Sequence, residues 1–246
     1  WLGKRGVKKM IGPVDLSPHE RLGLLVKGFT GYHNPRMPYN PPYYQALLEQ
    51  CGLAAEIDLL AYHHDLRSPW PKKLVRVAER CAGKPQLKLR SFNPLDLQGE
   101  GEILAAIHNG SMDVIWGFTD LSPAEGTAVW KKLEGYFDPR LALIAEMNGQ
   151  PAGLCLALRP AGKGPFASLA GRLNARLAVL AVLPRYRLQG LEALLILECF
   201  RRARNLGVIT IEFSLIAENN VMMNRIIKKL GALKRSRVYR IYRTMI

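Results

Sequence analysis

The strongest chemical signal in this sequence is a basic loop between a strand and a helix. The loop reads Arg185-Tyr186-Arg187-Leu188-Gln189-Gly190. Residues 177–183 before it form an uninterrupted apolar run, which is typical of a strand covered on both faces, and Pro184 ends that strand. From Leu191 onwards apolar residues recur at helical spacing. Because the first N–H groups of a helix lack partners within it and lie at its positive end, the loop is predicted to bind an anion.

The chain as a whole is strongly basic. It has 246 residues, with 35 Lys plus Arg against 20 Asp plus Glu and a net charge of +15. Its hydrophobic content of 48% is ordinary for a globular protein, and its length allows one large or two small domains. The charge indicates an acidic partner, which nucleic acid, an anionic membrane surface or a CoA-type ligand would each supply. A solvated basic face that aids solubility is the structural alternative.

Cysteine and histidine show no metal-binding pattern, and we expect no metal. The four cysteines are far apart, which favours free thiols in a reducing cytoplasm. His63 and His64 are adjacent at a strand end, where neighbouring side chains point to opposite faces. No apolar run reaches the roughly 18 residues of a membrane span, and no signal peptide opens the chain, so a cytoplasmic location is predicted. Because the chain starts at Trp1, a segment upstream can be missing.

One structural pattern occurs twice along the chain. Residues 40–52 and 219–231 each run from Asn to Gly across an apolar helix, and a Gly-Val pair with a strand precedes each. We predict that Asn40 caps the first helix, with Pro41 at its first position, and that both apolar faces pack on a sheet. The matched positions are Tyr43/Met222, Tyr44/Met223, Leu47/Ile226 and Leu48/Ile227.

The repeat predicts the domain organisation. We interpret residues 1–68 as the C-terminal half of a first unit, 69–84 as a linker and 85–246 as a complete second unit. The first copy alone contains a Gly- and Pro-rich loop over residues 15–38, whose length favours a function. A half-unit on its own would leave an unpaired sheet edge. We therefore expect upstream chain or pairing with the second unit or another chain, with two sheets side by side about a pseudo-twofold axis as the preferred arrangement.

The second unit resembles a known family. Its predicted order is β-α-α-β-β-β-α-β-α-β, with an Asn148-Gly149 hairpin turn. The P-x-Y-R-x-x-G loop, the hairpin with Glu146 and Gly153, and the N-x-x-M helix ending in L-G together resemble the GNAT superfamily of N-acyltransferases. With the half-copy, the chain is similar to tandem-GNAT proteins, including an uncharacterised bacterial group with a YNPPYY segment. The resemblance implies an α/β fold with a mixed sheet.

The resemblance also implies a co-substrate and a reaction. Acetyl-CoA or a longer acyl-CoA would lie where the strand of residues 177–183 separates from the next strand, and an amine would attack its thioester directly. The pantetheine would then contact Val182 and Leu183, and the thioester would lie beside Asn219 or Asn220 and Met223. The pyrophosphate would contact the loop residues Arg187, Leu188, Gln189, Gly190, Leu191 and Glu192.

Two departures from the family pattern affect the chemistry. The position of the tyrosine that often serves as the acid is Ile227, and Glu192 replaces a small residue of the loop. A carboxylate facing the diphosphate would repel it, so we expect Glu192 to point away. Glu212, with Ser214 on the same face of the next strand, is the candidate base; the alternatives are a surface ion pair for Glu212 and bulk water as proton acceptor.

Two other functions fit the sequence. The first is a catalytically inactive protein of the same fold that binds nucleic acid or an acidic partner through its basic C-terminal third, where Lys234-Arg235-Ser236-Arg237 is the densest basic segment. The second is a transferase that uses aminoacyl-tRNA.

Overall fold

A computed structural model describes residues 1–15, 21–34, 36–113, 115–159, 169–230 and 234–246. The helices are α1 (Tyr44–Gln50), α2 (Lys72–Ala82), α3 (Leu97–Ser111), α4 (Pro123–Leu133), α5 (Leu169–Leu173), α6 (Leu191–Asn205) and α7 (Val221–Lys229). The strands are β1 (Lys9–Gly12), β2 (Leu24–Lys27), β3 (Ala54–Asp65), β4 (Leu87–Ser91), β5 (Ala142–Met147), β6 (Gln150–Leu158), β7 (Asn174–Val182), β8 (Thr210–Ala217) and β9 (Lys234–Met245). Most of the predicted loop 160–174 and the closing Gly231 lie outside the described residues.

All nine described strands belong to one mixed sheet, in the order β1-β9-β3-β8-β7-β6-β5-β4, with β2 also on β9. The β7–β8 pair is parallel and the other pairs are antiparallel. Helices α2 and α6 pack on one face, and α3 and α4 pack on the other. The mixed α/β architecture predicted from the sequence is therefore confirmed.

The matched strands β3 and β9 pair with each other in a local twofold relation. The sequence match equates Leu59 with Val238 and Leu60 with Tyr239. In the sheet Leu59 pairs with Tyr239 and Leu60 pairs with Val238, so each pair is the symmetry mate of the other. The expected arrangement of two separate sheets is wrong, however. Strand β3 is inserted between β8 and β9, so the first half-unit completes its pairing inside the sheet of the second.

The long loop of the first copy divides one strand into two. Strands β1 and β2 both pair with β9 on the edge away from β3. On the symmetry-related side the single strand β8 pairs with β3. The split is caused by the segment between β1 and β2, which begins at Pro13. Val14 and Leu22 of this segment form an antiparallel bridge, and the chain then pairs with β9 again as β2.

Helix α1 differs from the prediction at its start and on its surface. It begins at Tyr44 without a side-chain cap, because the Asn40 side chain instead accepts a hydrogen bond from the Leu25 N–H (2.8 Å) and donates to the Leu25 carbonyl (3.1 Å). Asn40 thus extends the pairing of β2 rather than capping a helix. The predicted core face is also wrong, since Tyr43, Tyr44 and Leu47 are exposed.

The segment interpreted as a linker, residues 69–84, contains the short basic helix expected there, α2. Ala78 and Cys81 of α2 are buried in the core cluster that contains α6, and Trp70 packs against the same cluster. Arg204 of α6 stacks its guanidinium over the Trp70 ring at 4.2 Å. Helix α2 therefore packs in the same core as α6, the helix that follows the basic loop of residues 185–190.

None of the helices among the described residues combines the length and the apolar character needed to cross a bilayer.

Candidate functional site

Strands β7 and β8 separate in the middle of the sheet. Their parallel pairing runs from Asn174↔Thr210 to Leu177↔Phe213 and then stops, although β7 continues to Val182 and β8 to Ala217. The other edge of β7 remains paired with β6 as far as Val182. The two strands thus leave a cleft with polar backbone on both walls, at the place where the resemblance implies that they separate.

A cavity of about 160 Å³ occupies this cleft. Its walls come from β7, β8, the end of α3 and the start of α7. Six of the predicted site residues line it, namely Val182, Arg187, Glu192, Ser214, Asn220 and Met223. The structure therefore brings together residues that are far apart in the sequence. Ser111, Met112 and Met222 also line it and were not predicted.

The loop between β7 and α6 forms one end of the cleft. Leu188 has a left-handed backbone (φ 61°) and a side chain that is 98% exposed, and Gly190 is also left-handed (φ 90°) at the start of α6. A Cβ on Gly190 would lie 3.0 Å from Val77 Cγ1 and 3.2 Å from the Val77 carbonyl of α2. Glycine is required here because helix α2 packs directly on the loop.

Arg187 is held by backbone carbonyls. Its Nε donates to the Val182 carbonyl at 3.0 Å and its Nη2 to the Ser111 carbonyl at 2.6 Å. The side chain thus joins the end of β7 to the C-terminus of α3, where a cation suits the helix dipole. Lys84 lies on the outer side of the loop, with its Nζ 3.2 Å from Gln189 Oε1.

Two residues of the predicted site have further contacts. Glu192 is among the lining residues of the cleft, and its charge is near enough to Cys81 of α2 to contribute to the raised Cys81 pKa, so its expected orientation stays a prediction. The Leu183 N–H donates to the Ala152 carbonyl at 3.0 Å, so that amide is already paired. Of the two candidate asparagines, Asn220 caps α7 through the Met223 N–H (3.0 Å) and lines the cleft, while Asn219 is exposed at its edge.

Glu212 lies in a buried polar network behind Ser214. Its Oε1 accepts from Ser214 Oγ at 2.8 Å, and its Oε2 lies 2.6 Å from Arg237 Nη1 and 2.8 Å from His63 Nε2. The Glu212 side chain is 1% exposed, so the alternative of a surface ion pair is wrong. Arg176 completes the network, since its Nε donates to Ser214 Oγ at 3.0 Å.

The network determines the charge of Glu212. Burial alone would raise its pKa, but the hydrogen bonds from His63 and Ser214 and the charge of Arg237 lower that pKa to about 2. The assignment of Glu212 as a base stays a prediction, and a carboxylate so tightly held is a weak proton acceptor at neutral pH. Its partners Arg176, His63 and Arg237 were missed, although Arg176 stands out in the sequence as a charge within an apolar strand.

The loop of the first copy packs against a residue of the cleft. Arg237 Nη2 donates to the Tyr32 carbonyl at 2.7 Å and to the Thr30 carbonyl at 3.2 Å, which fixes the loop over β9. Met37 Sδ then lies 3.8 Å from Ser214 Oγ, and Ser214 lines the cleft. The loop thus supports a residue of the cleft from behind.

A second cavity, of about 260 Å³, continues from the cleft beneath α3 and α4. The two cavities share Met112, Ile115, Ala178, Val179, Ala181 and Leu215 as lining residues. Most of the remaining wall is apolar and comes from α3, α4, β6 and the segment 115–121. A compound bound in the cleft between β7 and β8 therefore lies next to an apolar cavity.

A mixed sheet that opens between two parallel strands beside a helix start is the architecture of GNAT-fold acyltransferases, and comparison with known proteins agrees. The model of the Acetyltransferase (GNAT) family matches residues 102–232. Protein YghO of Escherichia coli is 30% identical over 272 residues, and the match covers 100% of this chain and 68% of that protein. A bacterial ceramide synthase of Caulobacter vibrioides is 28% identical over 265 residues, with 98% and 68% covered.

Solved structures share the fold. A tandem GNAT protein from the clavulanic acid biosynthesis pathway superposes with a TM-score of 0.57 at 14% identity, over 99% of this chain and 66% of that one. A GCN5-related N-acetyltransferase from Sphaerobacter thermophilus gives 0.58 at 20% identity, over 83% and 56%. The chain belongs to the GNAT family of acetyltransferases. It spans about two thirds of the length of its curated relatives.

Proposed function

We propose that this chain is an acyl-CoA-dependent N-acyltransferase whose acyl-CoA lies in the cleft between β7 and β8. The observation that carries the proposal is the end of β7–β8 pairing at Leu177↔Phe213, beside the N-terminus of α6. Pantetheine is an extended chain with two amides, which suits the backbone groups of two separated strands. Its diphosphate fits the free N–H groups at the start of α6.

The acyl group in this proposal is longer than acetyl. The apolar cavity beside the cleft, about 260 Å³, is larger than the cleft itself, about 160 Å³. An acetyl group bound in the cleft would not extend into the apolar cavity, whereas a longer acyl chain would fill it. One relative is named a bacterial ceramide synthase, and a ceramide is a lipid whose amine carries a fatty acyl chain. An amine of lipid character is accordingly the acceptor class that we favour.

The proposed reaction is a direct transfer of the acyl group to the amine. The acceptor nitrogen attacks the thioester carbon, the C–S bond breaks, and the CoA thiolate leaves and takes up a proton. We propose that the amine proton passes to water rather than to Glu212, because Arg237, His63 and Ser214 already occupy the Glu212 carboxylate. Proximity alone lowers the barrier by several kcal/mol, so a strong base is not required. Glu212 then acts as a positioning residue for Ser214 and Arg176.

Calorimetry with acetyl-CoA and dodecanoyl-CoA tests this proposal. Met223→Trp fills the cleft and is expected to weaken binding of both compounds at least tenfold, because Met223 lines the space that pantetheine needs. Val221→Trp is the matched control: Val221 is on the same helix, 69% exposed and outside the cavity lining, so binding should not change. No binding of either compound by the unmodified protein at millimolar concentration would reject the proposal.

A further inference from the structure

The apolar cavity beside the cleft contains an unusual concentration of positive charge. Its described lining includes the cationic residues Arg36, Lys132 and Arg176, together with His108, and no Asp or Glu. A wall that carries cations and no carboxylate suits a ligand with a negative group as well as an apolar chain.

Arg176 carries most of this argument. Its side chain contacts two neutral oxygens of Ser214, the hydroxyl at 3.0 Å from Nε and the carbonyl at 3.1 Å from Nη2. Glu212 is opposite Arg176 in register, but its carboxylate oxygens bind Arg237, His63 and Ser214. The buried network thus holds two guanidinium groups and one carboxylate. One positive charge is left without a matching carboxylate among the contacts seen in the described residues.

Neighbouring groups extend the same site. Arg36 of the first half-unit lines the cavity with Arg176, and the two charges are close enough that Arg36 adds to the burial effect that lowers the Arg176 pKa. The Tyr239 hydroxyl is buried near Arg176 and has no hydrogen-bond partner among the described residues. The Arg176 guanidinium and a hydroxyl without a partner among the described residues are groups that bind a carboxylate or a phosphate.

We propose that this cavity binds an anionic amphiphile, with its hydrocarbon chain among the apolar residues of α3, α4 and β6 and its carboxylate or phosphate on Arg176. The inference rests on the proposed function and deepens it, since it assigns the substrate class of the same site. Arg176 and Ala178 lie on one face of β7 two residues apart, a separation of about 7 Å. Ala178 lines both cavities, so the anionic group lies close to the place where the two cavities meet.

A binding experiment without CoA tests the anionic requirement. Displacement of a fluorescent fatty acid is measured with dodecanoate, dodecyl phosphate, dodecanol and dodecyltrimethylammonium, all with the same alkyl chain. The unmodified protein is expected to bind the two anions at least tenfold more tightly than the alcohol, and the cation most weakly. Equal binding of dodecanoate and dodecanol would overturn the proposal, and this comparison needs no variant.

Variants identify Arg176 as the contact. Arg176→Met is expected to lose the preference for dodecanoate while keeping the affinity for dodecanol, and Arg176→Lys is expected to retain part of the preference. Lys88→Met removes one cation from β4, away from the cavity lining, and should change nothing. A preference that persists in Arg176→Met, with a native near-ultraviolet circular dichroism spectrum, contradicts the assignment.

Two sources of the anionic group remain, and activity separates them. If the group belongs to the acceptor, long-chain amines with a carboxylate or phosphate should be acylated faster than neutral amines, and Arg176→Met should raise KM for the anionic amines only. If it belongs to the acyl chain, the preference should instead be for an acyl-CoA with a terminal carboxylate. Failure of acyl-CoA binding in the calorimetry rejects the proposed function, whereas equal anion and alcohol binding rejects only the present inference.

Discussion

At the scale of single residues, the site is organised by one buried carboxylate. Glu212 receives groups from three strands: His63 from β3, Ser214 from β8 and Arg237 from β9. Arg237 in turn fixes the loop of the first half-unit, and Ser214 holds Arg176. A change at Glu212 is therefore transmitted to both cavities without contact between Glu212 and a substrate.

Glu212→Gln is expected to destabilise the protein by about 3–5 kcal/mol, because it leaves Arg237 buried without its counter-charge. Urea denaturation at pH 7 measures the loss. The Glu212 pKa falls from its usual 4.5 to about 2 on folding, so its contribution is complete above pH 4.5 and disappears as the pH falls towards 2. The variant should lose this part of the acid sensitivity.

The control for this prediction is Glu79→Gln on α2. Glu79 is largely exposed and its nearest cation, Arg201, is 3.9 Å away, so the change should cost less than about 0.5 kcal/mol. Equal losses in Glu79→Gln and Glu212→Gln would contradict the role given to the buried network.

Sequence reasoning identified Glu212 and Ser214 but not their partners, and the reason is physical. Alternation along β8 places the two side chains on one face, which is a local property. The proximity of His63 and Arg237 depends on which strands pair and in which register, and neither is encoded near Glu212. The charge of Arg176 within an apolar strand was the one local signal, and its meaning required the cavity beside it.

At the scale of elements, periodicity and turn chemistry predicted most of the sheet and helices. The Asn148-Gly149 hairpin is present, with φ of 52° and 73° at the two residues. The errors arose where a polar side chain had two possible backbone partners. Asn40 binds the edge of β2 instead of capping α1. A short basic helix was expected within residues 69–84, and α2 is that helix; the interpretation of this segment as a linker stays a prediction.

Helices α3 and α4 cross each other over the apolar cavity, and their close contact depends on Gly101 and Gly126. A Cβ on Gly126 would lie 2.2 Å from the Gly101 carbonyl oxygen, a contact that only backbone movement can relieve. Gly126→Ala should therefore destabilise the protein by about 1–3 kcal/mol, despite the better helix propensity of alanine. Thermal denaturation measures this, and dodecanoate binding should weaken as the helices separate.

Gly83→Ala provides the matched control for Gly126→Ala. Gly83 ends α2 with an ordinary backbone, and its Cβ would meet nothing closer than 3.8 Å. Its substitution should change stability by less than about 0.5 kcal/mol. If Gly126→Ala is as stable as Gly83→Ala, the two helices can separate without cost and the close crossing does not define the cavity.

At the scale of the whole molecule, the two units share strands. The local sequence pattern indicated a repeat, which stays a prediction, but it did not indicate that β3 lies between β8 and β9, because a strand's alternation does not specify which edge it joins. Strand β3 of the first half-unit separates β8 from β9 of the second, and its residues Leu59, Leu60 and Ala61 are buried there. Arg36 of the same half-unit lines the larger cavity, and Met37 contacts Ser214, which lines the cleft. Residues 1–68 therefore contribute to the surroundings of both cavities.

This arrangement predicts that residues 85–246 do not form a stable unit when expressed alone. Removal of β3 would expose the facing edges of β8 and β9 and the apolar side chains packed between them, and such edges promote aggregation. Glu212 would also lose His63. A fragment of residues 54–246 retains β3 and should unfold cooperatively in urea, whereas the fragment 85–246 should aggregate or show no cooperative transition. If the shorter fragment is instead a folded monomer with the denaturation midpoint of the full chain, residues 85–246 are an independent domain and the shared sheet is not essential.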